Sequence, residues 1–222
     1  MLVAAAVLPH PPVLVPSLAT GAATELDDLR ARCHDALATV DKARPDVLYV
    51  VGVDGGPHAR SFAPWGVAEA VDVPEPLPLP LLVGAWLTRG TVRSFVVVDD
   101  AMDAGECARL GAELAGSADR VAVVVMGDGS ARHDEKAPGY LDERAAPYDA
   151  EVGAALGAAD AQALLRLDPD LSRELLVAGR APWQVLAGAA GDRPPATVGP
   201  SHFAAPYGVG YHVVTWQWQD NA

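Results

Sequence analysis

The chain has 222 residues, half of them hydrophobic and 20% charged, with 16 Lys and Arg against 29 Asp and Glu and a net charge of −13. A chain of this kind folds around a sizeable core rather than staying disordered. The acidic balance excludes the clustered basic surface that nucleic acid or anionic lipid demands, so neither is an expected partner.

Fourteen of the sixteen basic residues are arginine and isoleucine is absent, a bias of GC-rich coding sequence that strips arginine usage of functional weight. Cys33 and Cys107 lie far apart and match no zinc or redox spacing. They are expected to be reduced, half-buried thiols of a cytoplasmic protein. Leu2–Leu8 is too short to span a membrane and is followed by Pro9, Pro11 and Pro12. It also lacks the basic flank of a signal peptide.

Along the chain, the apolar run Leu2–Leu8 reads as a strand buried on both faces. Thr24-Glu25-Leu26-Asp27 resembles a capping box. It opens an amphipathic helix on Leu26, Leu29, Cys33, Leu37 and Val40. Val47–Val53 is a second strand, closed by Asp54-Gly55-Gly56-Pro57. Four prolines between Val73 and Pro80 predict an extended loop, and Leu81–Thr88 a helix. A strand at Ser94–Val98, a helix at Ala104–Leu114 and a strand at Val121–Met126 follow. Residues 131–147 read as a polar loop and Tyr148–Leu156 as a helix. Asp168-Pro169-Asp170 starts a helix expected to run to about Ala178. Another helix occupies Pro182–Ala190, a loop residues 191–200, and a last strand Tyr211–Trp218. This alternation predicts one α/β domain: a central, mostly parallel sheet of six or seven strands with helices on both faces. The Trp-rich last strand suits either an edge buried against a second copy of the chain or a covered, central position.

In such sheets, sites form at the carboxyl ends of the strands. Those ends carry His10, Asp54 with His58, Asp99-Asp100, and Asp128 followed by Ser130 and His133. Imidazole and carboxylate converging on one edge suit a divalent transition metal. An Asp before Gly, as at Asp54 and Asp128, also stabilises turns without any ligand. His34, His202 and His212 read as surface or structural residues, and the tryptophans as packing.

The block Ala6-Val7-Leu8-Pro9-His10-Pro11-Pro12-Val13-Leu14-Val15-Pro16 resembles the opening of class III extradiol ring-cleavage dioxygenases of the B-subunit type. Met126-Gly127-Asp128-Gly129-Ser130 resembles that family's G-D-L-S-H strand end. Ala137-Pro138-Gly139-Tyr140, Tyr148-Asp149, Leu167-Asp168-Pro169-Asp170-Leu171 and Pro206-Tyr207-Gly208-Val209-Gly210-Tyr211 resemble later family segments, in the same order. The resemblance implies a non-haem Fe(II) site of two His and one Glu, with a further His as acid/base, and places Ser130 and Tyr140 beside substrate.

Position by position, His10 matches the first metal histidine. An ungapped alignment puts Gly55 at the second, and a shift of three residues is needed to bring in His58. Ala131 stands at the acid/base position, with His133 two residues on. Val177 stands at the family Glu, before Ala178-Gly179. The expectation is a divergent relative without standard ring-cleaving chemistry, binding a small molecule or a partner in the inherited cleft. The alternative is an active Fe(II) dioxygenase on catechol-type substrates with a rearranged site: His10, His58, Asp54 and Asp128 around the metal and His133 as acid/base.

Overall fold

The computed structural model describes residues 1–89 and 93–219. Among the described residues the strands are β1 (Leu2–Leu8), β2 (Val47–Val53), β3 (Arg93–Val98), β4 (Val121–Met126), β5 (Thr197–Val198), β6 (His202–Ala204) and β7 (Tyr211–Gln217). The α-helices among the same residues are α1 (Pro16–Ala19), α2 (Asp27–Lys42), α3 (Leu79–Leu87), α4 (Ala104–Ala115), α5 (Ala145–Ala158), α6 (Ala161–Leu165), α7 (Pro169–Glu174) and α8 (Arg180–Ala190).

The sheet order is β3-β2-β4-β1-β7-β5, with β6 also on β7. The pairs β1–β4, β2–β4 and β2–β3 are parallel, and β7 runs antiparallel to β1, β5 and β6. Six strands therefore share one direction and β7 alone is reversed, as the mostly parallel reading requires.

Strand side chains alternate between two cores, because successive Cβ atoms leave opposite faces of a strand. In β4, Val121, Val123 and Val125 face the layer of α4, α5, α6 and α8. Ala122, Val124 and Met126 face α2 and α3. All six are buried, which explains why the run is continuously apolar. On the first layer α4 and α8 cross at backbone contact. A Cβ on Gly111 would lie 2.0 Å from the Val185 carbonyl oxygen, and one on Gly188 would lie 2.2 Å from that of Ala108.

β7 lies between β1 and the short β5 and β6, and Trp216 with the following Trp218 is buried in the chain's own core. Thr24 lies in a 3-10 segment, Thr20–Leu26, and α2 begins at Asp27 with no side-chain cap. Asp27 and Asp28 in its first turn offer the helix dipole the negative charge that a cap would bring. α7 stops at Glu174 rather than near Ala178, because Leu176 adopts a left-handed φ of 56°. The expected 191–200 loop contains β5, and His202 belongs to β6. Both cysteines are fully rather than half buried. Burial pushes the Cys33 thiol up to about 12 and that of Cys107 to about 11. Among the described residues no helix is long and apolar enough to cross a membrane.

Candidate functional site

The parallel strands deliver their carboxyl ends to one edge. There the pairing continues past the strands themselves, with Gly127 N donating to Leu8 O at 2.9 Å and Asp54 N to Val98 O at 3.0 Å. His10, Asp54, Asp100 and Asp128 thus emerge side by side, as the sequence predicts.

Asp128 ties this edge together. Its Oδ1 accepts the His10 backbone N–H at 2.8 Å, and its carbonyl accepts that of Gly179 at 2.9 Å. Ser130 completes the stitching. Its Oγ donates to the Leu175 carbonyl at 3.0 Å, and Ala131 N donates to the same oxygen at 3.1 Å. These bonds, with the left-handed turn at Leu176, swing Val177 and Ala178 out of the helical path and onto the wall of a cleft.

That cleft has a volume of about 420 Å³, within the ordinary size of a small-molecule pocket. His10, Gly55, Trp65, Leu79, Pro80 and Val177 are among its walls. The His10 imidazole is one-tenth exposed, and its Nδ1 sits 3.6 Å from Asp128 Oδ1 without a hydrogen bond. Burial holds the Asp128 carboxyl above the usual carboxylate range, with the nearby His10 opposing the shift.

A consequence for stability follows from the sign of that shift. A carboxyl that binds its proton more tightly when folded stabilises the fold below the unfolded value near 4. The contribution is lost as pH rises through the folded value. Asp128→Asn mimics the protonated form and can still accept from His10 N. In urea titrations the variant should therefore gain on the wild type between pH 4 and pH 7. A constant difference would remove Asp128 as the group responsible.

The other expected residues lie elsewhere. His58 Nε2 meets Asp54 Oδ1 at 2.7 Å in an exposed pair on the cleft rim. Tyr140 is 60% exposed and outside the cleft wall. Ser130 is fully buried, with its hydroxyl spent on Leu175. His133 does not line the cleft either. Its Nε2 meets Asp149 Oδ2 at 2.6 Å, while His212 Nε2 lies 3.4 Å from the other carboxylate oxygen. Ser130 N donates to Asp149 Oδ2 at 3.0 Å. Gly129 and Gly210 make room for that carboxylate, since a Cβ on either would fall within 2.3 Å of it. Phe203 covers the His212 ring at 4.8 Å between centroids. This buried acid between two imidazoles is a second polar centre, which orients His133 and joins α5 to β7.

Ferrous iron fits the cleft poorly. Metal–nitrogen and metal–oxygen bonds are near 2 Å, so three ligands must crowd one point. Gly55 and Val177 bring no donor, and Asp54 Oδ1 is engaged by His58. Among the described residues no three His, Cys, Asp or Glu side chains are grouped to share an ion.

No family model matches the chain, and none of the curated proteins does. The fold resembles the crystal structure of the uncharacterized protein JW3007 from Escherichia coli K12. The TM-score is 0.50 at 15% identity, over 96% of this chain and 99% of that one.

Three residues of this edge are not singled out as site residues by the sequence. Trp65 follows a long irregular segment and leaves no local signal. Arg173 belongs to an ordinary surface helix pattern. Asp149 does leave one: it lies on the stripe of Ala145, Tyr148, Val152 and Leu156, an acid on an otherwise apolar buried helix face.

Proposed function

We infer that this protein binds a small organic molecule in the cleft beside His10, as a divergent relative of the extradiol dioxygenases that no longer assembles a ring-cleaving iron centre. One observation carries the reading. The three positions aligned with the family's metal ligands, His10, Gly55 and Val177, all line one cleft, and two of them have no coordinating atom. Their convergence supports the alignment, and their chemistry argues against the metal. What is left is an apolar wall of Trp65, Leu79, Pro80, Val177 and Ala178 beside one imidazole, with Asp54, Asp100 and Arg173 also on the lining. Such a surface holds an organic body by burial and orients it through a few polar contacts.

Filling the cleft with Val177→Trp should abolish saturable binding of small aromatics such as phenol and indole, followed by ligand-detected NMR. Oxygen uptake with catechols after anaerobic ferrous loading should stay at background. Uptake that depends on His10 would overturn the reading and favour the rearranged iron enzyme.

A further inference from the structure

The sheet ends differently on its two sides. Beyond β7 it finishes in β5 and β6, which are two and three residues long, and strands that short give an incoming chain little to pair with. The opposite edge is β3, six residues paired along one side with β2. Among the described residues no strand or bridge pairs with its other side. The helices leave this edge clear as well: α3 lies over β2 and β4, and α8 over β1, β2 and β4. Ser94 and Val97 are exposed and Phe95 and Val96 half-buried, whereas β4 is buried throughout. The run Phe95-Val96-Val97-Val98 is made of strand-forming side chains. It has none of the devices that blunt an edge, with no proline or charge inside it and no bulge in its register. Its ends carry opposite charges. Arg93 opens the strand, its guanidinium donating to the carbonyls of Thr88 and Asp72, and Asp99 follows it. Asp99 Oδ1 accepts the Ala101 N–H, which leaves the carboxylate charge in place. A strand that is basic at its start, apolar in its middle and acidic after its end complements a copy of itself run antiparallel.

We propose that two copies of this chain join β3 to β3 across a two-fold axis and continue the sheet through a dimer. A two-fold axis normal to the sheet keeps each face on its own side. Because side chains alternate between faces, opposed residues must then be both odd- or both even-numbered. Of those registers, the one centred on Val96 sets Arg93 against the partner's Asp99 and Phe95 against the partner's Val97. Charge that cancels along the seam matters for a chain of net charge −13, whose copies otherwise repel each other. The proposal is independent of what the His10 cleft binds.

Sedimentation velocity of the full chain should show monomer giving way to dimer over about a hundredfold rise in concentration. Val97→Lys places a charge at an exposed position of the seam and should raise the midpoint concentration about tenfold or more. Its melting temperature at low concentration reports that the monomer is still folded. Cysteine crosslinking reads the register. In Val96→Cys the two new thiols meet at the axis, within reach of a disulfide. In Ser94→Cys each stands opposite the partner's Val98, and the two thiols are roughly 13 Å apart at the rise of a strand. Cys33 and Cys107 are buried, so a crosslinked dimer on a non-reducing gel reports the introduced thiol. Under the same mild oxidation Val96→Cys should crosslink and Ser94→Cys should not. A chain that stays monomeric throughout would overturn the proposal. So would a dimer indifferent to Val97→Lys, or crosslinking no better at position 96 than at position 94.

Discussion

Replacing Asp149 with alanine should lower the stability of the fold by about 3–5 kcal/mol, the usual cost of removing one member of a buried charged cluster. The carboxylate is fully buried and serves His133, His212 and the Ser130 N–H together. Without it, two imidazoles and one backbone donor lose their acceptor where little water reaches them. Asp149→Asn keeps an acceptor for Ser130 N and should fall between wild type and alanine. Urea midpoints at pH 7 decide this. A loss under about 1 kcal/mol for the alanine variant would mean that the cluster does not hold α5 to β7.

The second large effect is at the α4–α8 crossing. Gly111→Ala should destabilise by about 3 kcal/mol or more, the upper end for overpacking. The new methyl would meet the Val185 carbonyl oxygen at 2.0 Å and the Ala189 nitrogen at 2.5 Å. Both are backbone atoms of α8, so no side chain can rotate away and the helices must separate. Gly157→Ala in α5 is the matched control. Its methyl would come no closer than 3.6 Å to Ser201, and helix propensity favours the change by up to about 1 kcal/mol. If the two substitutions have equal effects on the urea midpoint, the close crossing is not a determinant of stability.

Much of this architecture is legible in the sequence because it is written locally. Leu2–Leu8, Val47–Val53 and Val121–Met126 are apolar runs closed by proline or by Asp and Gly, and each is a strand over that span. Their common direction then places His10, Asp54 and Asp128 on one edge. The end of α7 is a different matter. The sequence from Leu171 onward suits a longer helix, but hydrogen bonds from Ser130 and Ala131 to the Leu175 carbonyl, and from Gly179 to Asp128, accompany the left-handed turn at Leu176. Those partners are more than forty residues away, and only the fold brings them there.

The partner of His133 lies only sixteen residues on, yet local pattern does not reveal it. The polar loop that carries His133 suggests a solvated side chain or a return toward His10, whereas the ring meets Asp149 on the following helix. His212 sits in an alternating strand and gives no sign of a polar neighbour, yet it flanks the same carboxylate. The cleft wall at Trp65 comes from a segment ordered by the isolated bridges Ala59–Leu77 and Ser61–Ala70, which have no periodic pattern.

The proposal that the His10 cleft assembles no iron centre is tested most directly by metal occupancy. Protein loaded anaerobically with ferrous ion, freed of unbound metal and analysed by elemental mass spectrometry should carry far less than one iron per chain. His10→Ala should leave that residual level unchanged. One tightly held iron per chain, lost when His10 is replaced, would contradict the account.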